Sequence, residues 1–159
     1  MPLGVEVLLV GAKGLENTDF LNGVDPYVVL TCRTQEQKSS VASGKGSEPE
    51  WNENFLFEVS DGDTELTLKI MDSDVGAADD FVGEATIPLE PLFLEGNLPS
   101  TAYKVVKEQE YKGEIRVGLT FTPEVITVFL PKHKEKGKSV GLLKMIQLSI
   151  TLLQVSKSR

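Results

Sequence analysis

Two short stretches gather the side chains of this chain that could do chemistry. The first runs from Asn17 to Tyr27 and carries Asp19 and Asp25; the second runs from Met71 to Phe81 and carries Asp72, Asp74, Asp79 and Asp80. If they meet, five or six carboxylates converge. A pair of like charges 4–5 Å apart repels by roughly 3–4 kcal/mol at an effective dielectric near 20, so such a cluster calls for a counter-ion. A hard dication that accepts six to eight oxygen ligands and irregular geometry is the natural one, which favours calcium over magnesium. The plainer reading is turn chemistry: Asp and Asn are common in turns, and Asp25-Pro26 can simply start a strand. For either loop alone the plainer reading is the better one; a shared cation site becomes competitive only if the fold brings the loops together.

The elements flanking the loops decide that question. Residues 1–123 are strand-like, with little helical periodicity. Val5, Val7 and Leu9 alternate with polar neighbours, as do Phe55, Phe57 and Val59, then Leu66, Leu68 and Ile70. The clearest run is Gly113 to Phe121, where Ile115, Val117, Leu119 and Phe121 should point inward and Glu114, Arg116 and Thr120 outward. Weaker strands are expected over 26–33, 38–43, 81–89 and 102–107. Eight short strands without alternating helices imply an all-β, antiparallel Greek-key sandwich. If successive strands are antiparallel, the connections 1→2, 3→4, 5→6 and 7→8 share one end. The two acidic loops are the first and third of these, and should therefore be neighbours.

Other readings of the same residues fail or are weak. An EF-hand loop starting at Asp72 needs glycine sixth and glutamate twelfth, where Ala77 and Gly83 stand. The Asp72-Ser73-Asp74 run after an apolar strand is similar to the nucleophile motif of haloacid-dehalogenase phosphatases. Those are larger α/β proteins, and Gly76 stands where they carry Thr or Val. His133 is the only histidine, which leaves no histidine-based triad, and the chain is expected not to be an enzyme. Trp51 is expected to anchor the core beside its turn, and Cys32 to be a small strand residue.

Charge is unevenly distributed. Residues 124–159 hold seven Lys/Arg against Glu124 and Glu135, so of the net charge of −8 the tail carries +5 and residues 1–123 carry −13. So acidic a body repels nucleic acid, and repels anionic lipid unless a cation intervenes. The start, Met1-Pro2-Leu3-Gly4, lacks the pattern of a secretion signal, and one cysteine allows no internal disulfide. A cytoplasmic monomer is expected.

Three segments then resemble the C2 domain family: Asp25-Pro26-Tyr27-Val28 opening the second strand, Glu48-Pro49-Glu50-Trp51-Asn52-Glu53 before the fourth, and Asp80-Phe81-Val82-Gly83-Glu84 opening the sixth. Within that family the chain is similar to the small single-C2 plant proteins described as elicitor-responsive or phloem-type. Its start at Val5 and its last strand at Gly113–Val117 are similar to the type II strand order. The resemblance implies calcium as cofactor, with Asp19, Asp25, Asp72, Asp74 and Asp80 as the chelating aspartates. It also implies calcium-dependent binding to anionic phospholipid, with movement to the plasma membrane when calcium rises. Phe20, Leu21 and Val24 in the first loop and Val75 in the second are candidates for shallow insertion; packing of the loop base is the equal alternative. Arg33, Lys38 and Lys45 are candidates for a basic strip toward lipid headgroups. A calcium-independent module for a protein partner is the competing function. The resemblance stops before the tail, 124–159. That tail shows neither a helical nor a strand period throughout, is too short and polar to span a bilayer, and is expected to be disordered or loosely attached.

Overall fold

The computed structural model describes residues 3–15, 24–43, 46–60 and 62–122. Asp19, Phe20, Leu21, Lys45 and the tail 124–159 lie outside the described residues.

Alternating side chains produce the expected strands. They are β1 (Leu3–Lys13), β2 (Pro26–Cys32), β3 (Gln35–Lys38), β4 (Glu50–Val59), β5 (Glu65–Asp72), β6 (Asp80–Pro88), β7 (Asn97–Lys107) and β8 (Glu110–Thr122), with one short helix, α1 (Glu90–Glu95), between β6 and β7. All pairings are antiparallel, in the order β3-β2-β5-β6-β7-β8-β1-β4. The join between β6 and β7 is a single registered pair, Glu84 with Val106. The sheet therefore divides there into two four-stranded layers. One buried cluster takes Val28 and Leu30 from β2, Leu66, Leu68 and Ile70 from β5, Val5, Val7 and Leu9 from β1, and Ile115, Val117 and Leu119 from β8. These are the inner faces of a β-sandwich, reached by the period-two rule.

The weak strand expected over 38–43 is displaced. β3 is Gln35–Lys38, wholly polar, and hydrophobic patterning cannot see it. Residues beyond it leave the regular ladder because a side chain takes over: Ser39 Oγ accepts from the Val28 amide at 2.8 Å. The amide of Ala42 then bonds the Pro26 carbonyl at 2.8 Å. Trp51 sits in the core at 8% exposure and donates its indole N–H to the Ser40 carbonyl. Cys32 is buried in the same core.

β3 and β4 are the two edges of the sheet, and side chains join them. Glu58 N donates to Gln35 Oε1 at 2.9 Å, and Gln37 Nε2 donates to the Leu56 carbonyl at 2.6 Å. Glutamine amides thus satisfy edge groups of β4 that would otherwise invite a foreign strand.

The parity argument holds among the described residues. Pro26 at the start of β2 pairs with Asp72 at the end of β5, and Asp72 pairs with Asp80 at the start of β6. At the same end the loop between β3 and β4 meets the end of β1, through Ala12 N to the Pro49 carbonyl at 2.9 Å and Leu15 N to the Ser47 carbonyl at 3.2 Å. The β7–β8 hairpin turns there through Glu108 and Gln109, both at positive φ of 51° and 67°. Next to it, Gly113 has φ 126°, and a Cβ there would lie 2.6 Å from the Lys13 carbonyl oxygen. Only glycine allows β8 to approach β1 this closely. Gly113→Ala is expected to cost about 1–3 kcal/mol, read as a lower urea midpoint with an unchanged slope.

Candidate functional site

The acidic end is built on the inward parity of β5. Leu66, Leu68 and Ile70 face the core, and Asp72, two residues further, continues the same face with 3% exposure. A carboxylate in that position needs donors. It accepts a hydrogen bond from the Asp25 amide at 2.8 Å, while the Ser73 amide donates to the Asp25 carbonyl at 3.0 Å. These two bonds lock the end of the first acidic loop to the start of the second.

Electrostatics at Asp72 oppose its charge. Burial pushes its carboxyl above the usual carboxylate range; the Asp25 amide pulls it back in part, while Asp74, Asp25 and Asp80 push it further up. Asp74 is half-buried and Asp80 exposed at the rim of the same end. All four side chains are carboxylates, a hard-oxygen set suited to a divalent cation. Among the described residues, no three His, Cys, Asp or Glu side chains stand together as a finished metal cage. Asp25, Asp74 and Asp80 lie near enough to Asp72 to act on its charge, at the ends of β2, β5 and β6, whereas the fifth expected ligand, Asp19, is outside the described residues.

Asp79, which the family resemblance leaves out of the chelating set, has both of its carboxylate oxygens engaged. Its Oδ2 accepts from the Tyr27 hydroxyl at 2.6 Å and its Oδ1 from the Asp74 amide at 3.2 Å. The Tyr27 bond, then the Asp74 amide, hold the Asp79 carboxyl below its ordinary range, with Lys38 adding to the effect. Reciprocally, the Asp79 carboxylate and burial push the Tyr27 phenol up to about 12. Lys38 Nζ lies 3.7 Å from the centre of the Tyr27 ring, a cation–π contact. Lys107 closes the other flank by donating to the Phe81 carbonyl at 2.7 Å.

The residues expected at a lipid surface are scattered. Val24, expected among the inserting side chains, is 1% exposed and belongs to the core, where it packs the loop base. Val75 is fully exposed at the tip of the second loop. Arg33 lies at the other end of β3 from Lys38, beside Asp63 at 3.7 Å and next to a cavity of about 360 Å³ lined by Thr31, Thr64 and Thr67. Arg33 and Lys38 therefore do not form one strip with the acidic end. Among the described residues no helix is long and apolar enough to cross a membrane.

The all-β antiparallel sandwich agrees with the family comparison. A family model described as "C2 domain" matches residues 4–105. The chain belongs to the C2 domain family. It is 71% identical over 120 residues to "Elicitor-responsive protein 3" of Oryza sativa subsp. japonica, covering 76% of this chain and 83% of the relative. It is 68% identical over 124 residues to "16 kDa phloem protein 2" of Arabidopsis thaliana, covering 77% and 84% respectively. Among solved structures it is similar to a C2 domain-containing protein attributed to an elicitor-responsive gene, with 60% identity, TM-score 0.68, and coverage of 86% of this chain and 94% of that one. It is also similar to the calcium-bound form of the tandem C2 domains of Extended-Synaptotagmin 2, with 25% identity, TM-score 0.66, and coverage of 76% and 46%.

Asp72 makes this C2 domain's stability depend on pH in a definite direction. Because its folded-state pKa is raised, the folded chain keeps that proton to higher pH than the unfolded chain. Its contribution is favourable in acid and is lost as pH rises through the folded value. In chelator at neutral pH, Asp72→Asn is expected to raise Tm by roughly 3–6 °C, since the amide oxygen can still accept from Asp25. The gain should shrink as pH falls; a scanning-calorimetry series from neutral to acid pH checks both.

Proposed function

We propose that this C2 domain binds calcium at its acidic end and uses the bound cation to dock on anionic phospholipid. The carrying observation is Asp72: a buried carboxylate whose charge is opposed by burial and by three neighbouring aspartates, at the seam where the two loops are bonded together. Asp25, Asp72, Asp74 and Asp80, with Asp19, would hold the ion, which supplies positive charge and coordination positions for lipid phosphate or carboxylate oxygens. The similarity to a calcium-bound C2 structure supports the reading.

On this reading the protein's own residues do three things. The Asp25 and Ser73 amides fix the spacing of the two loops. The acidic body, with −13 on residues 1–123, keeps the protein off anionic membrane until the loops are neutralised. Val75, with Phe20 and Leu21, supplies the apolar contact. The protein waits in the cytoplasm and moves to the plasma membrane when calcium rises, a role in the defence signalling that the name of its rice relative suggests. The C2 domain spans 1–123 with 124–159 as a separate tail, and the position of β8 between β7 and β1 supports the type II arrangement.

Cosedimentation with phosphatidylserine vesicles tests this. Wild type should pellet with calcium and stay in solution with chelator, and the folded Asp72→Asn/Asp74→Asn variant should stay in solution in both. Pelleting that ignores calcium and mutation would move the function to the basic tail; no pelleting of folded wild type would favour a protein-partner module. Val75→Ser should reduce vesicle partitioning roughly fivefold, as expected for losing about 1 kcal/mol of shallow apolar burial, while calcium uptake in solution stays unchanged.

A further inference from the structure

Asp79 is exposed in a loop, yet both of its oxygens have fixed donors. The Tyr27 hydroxyl bonds one at 2.6 Å and the Asp74 amide bonds the other at 3.2 Å. The ring of Tyr27 is buried at 6% exposure, so its hydroxyl is held in place by the sandwich. Lys38 covers that ring with its ammonium at 3.7 Å. A continuous chain of contacts thus runs from the end of β3, through the start of β2, to the backbone of Asp74 in the loop between β5 and β6. A carboxylate engaged by two donors is poorly available to a metal and well suited to holding a loop.

We infer that Tyr27, Asp79 and Lys38 are positioning residues that hold the second acidic loop in its cation-binding shape before any cation arrives. This rests on the calcium reading of the site. Without a cation, the mutual repulsion of Asp72, Asp74 and Asp80 drives the loop open, and reassembling it weakens binding. The clamp opposes that opening with a carboxylate outside the ligand set, anchored to the rigid β2 strand. Outer groups that orient ligands commonly govern metal affinity in this way. Lys38 therefore acts through Tyr27 and Asp79, not through contact with lipid.

The test is calcium titration calorimetry on the full chain, wild type and Tyr27→Phe, paired with amide hydrogen exchange of residues 73–79 in chelator. Tyr27→Phe keeps the buried ring and removes one O–H. It is expected to weaken calcium affinity about three- to tenfold at unchanged stoichiometry and to speed exchange of the Asp74 amide with no metal present. Asp79→Asn, which loses the charge facing Lys38, should shift both readouts in the same direction. Unchanged affinity and exchange in Tyr27→Phe would overturn the inference. Tighter binding in that variant would also overturn it, because Asp79 would then be a ligand restrained by Tyr27. If wild type takes up no calcium, the calcium reading itself fails, while the exchange data still show whether the clamp holds the loop.

Discussion

A strand that is apolar on its inner face and ends that face with an aspartate imposes a condition on everything around it. In β5 the inward series Leu66, Leu68, Ile70 closes with Asp72, and the charge cannot retreat to water without breaking the strand's pairing with β2 and β6. An uncompensated buried carboxylate costs several kcal/mol or gives up its charge. Here one backbone amide compensates it in part, and three more carboxylates make matters worse. On the calcium reading, a bound cation would offset this unfavourable arrangement and so link stability to ligand by mass action.

The rest of the fold keeps that end in register. The register of β2 on β5 sets Asp25 beside Asp72, and the bulge between Ile70 and Met71 sets where β6 begins. Closure elsewhere is done with few contacts of high consequence: one registered pair between β6 and β7, two glutamine amides between β3 and β4, and a glycine where β8 passes β1.

Legibility in sequence follows what each feature depends on. Strands with one wet face announce themselves by alternation: Ile115, Val117 and Leu119 are buried and Glu114, Arg116 and Thr120 exposed, as their types require. Chain parity is enough to place the acidic loops together, since it needs only strand count and antiparallel order. β3 is illegible because an all-polar edge strand carries no hydrophobic period; its identity lies in glutamine amides bonding backbone across the gap. Helix α1 spans only six residues, too few to show periodicity, and is marked only by an early proline and by Gly96 in the left-handed region. The Glu108-Gln109 turn lacks the glycine or asparagine that usually marks a positive-φ hairpin. Val24 cannot be assigned from type alone, because an apolar loop residue has the same appearance whether it meets lipid or core. The family resemblance sets Asp79 aside from the chelating aspartates, but its bonds to the Tyr27 hydroxyl and the Asp74 amide appear only in the structure.

That separation changes how the charge of the acidic end should be counted. The oxygens of Asp79 are engaged by the Tyr27 hydroxyl and the Asp74 amide, and Lys38 over the Tyr27 ring adds to what favours its charged form. Lys38 is engaged with the Tyr27 ring in the same arrangement. On the calcium reading, Asp25, Asp72, Asp74 and Asp80 would carry the demand for external charge, which a divalent ion meets better than surface lysines can. Electrostatic control of this kind is sharp only if neither partner is satisfied beforehand. The fold places Lys38 near Asp79 and leaves Asp72 with the Asp25 amide as donor and three carboxylates pushing against its charge, where the two loop ends are bonded.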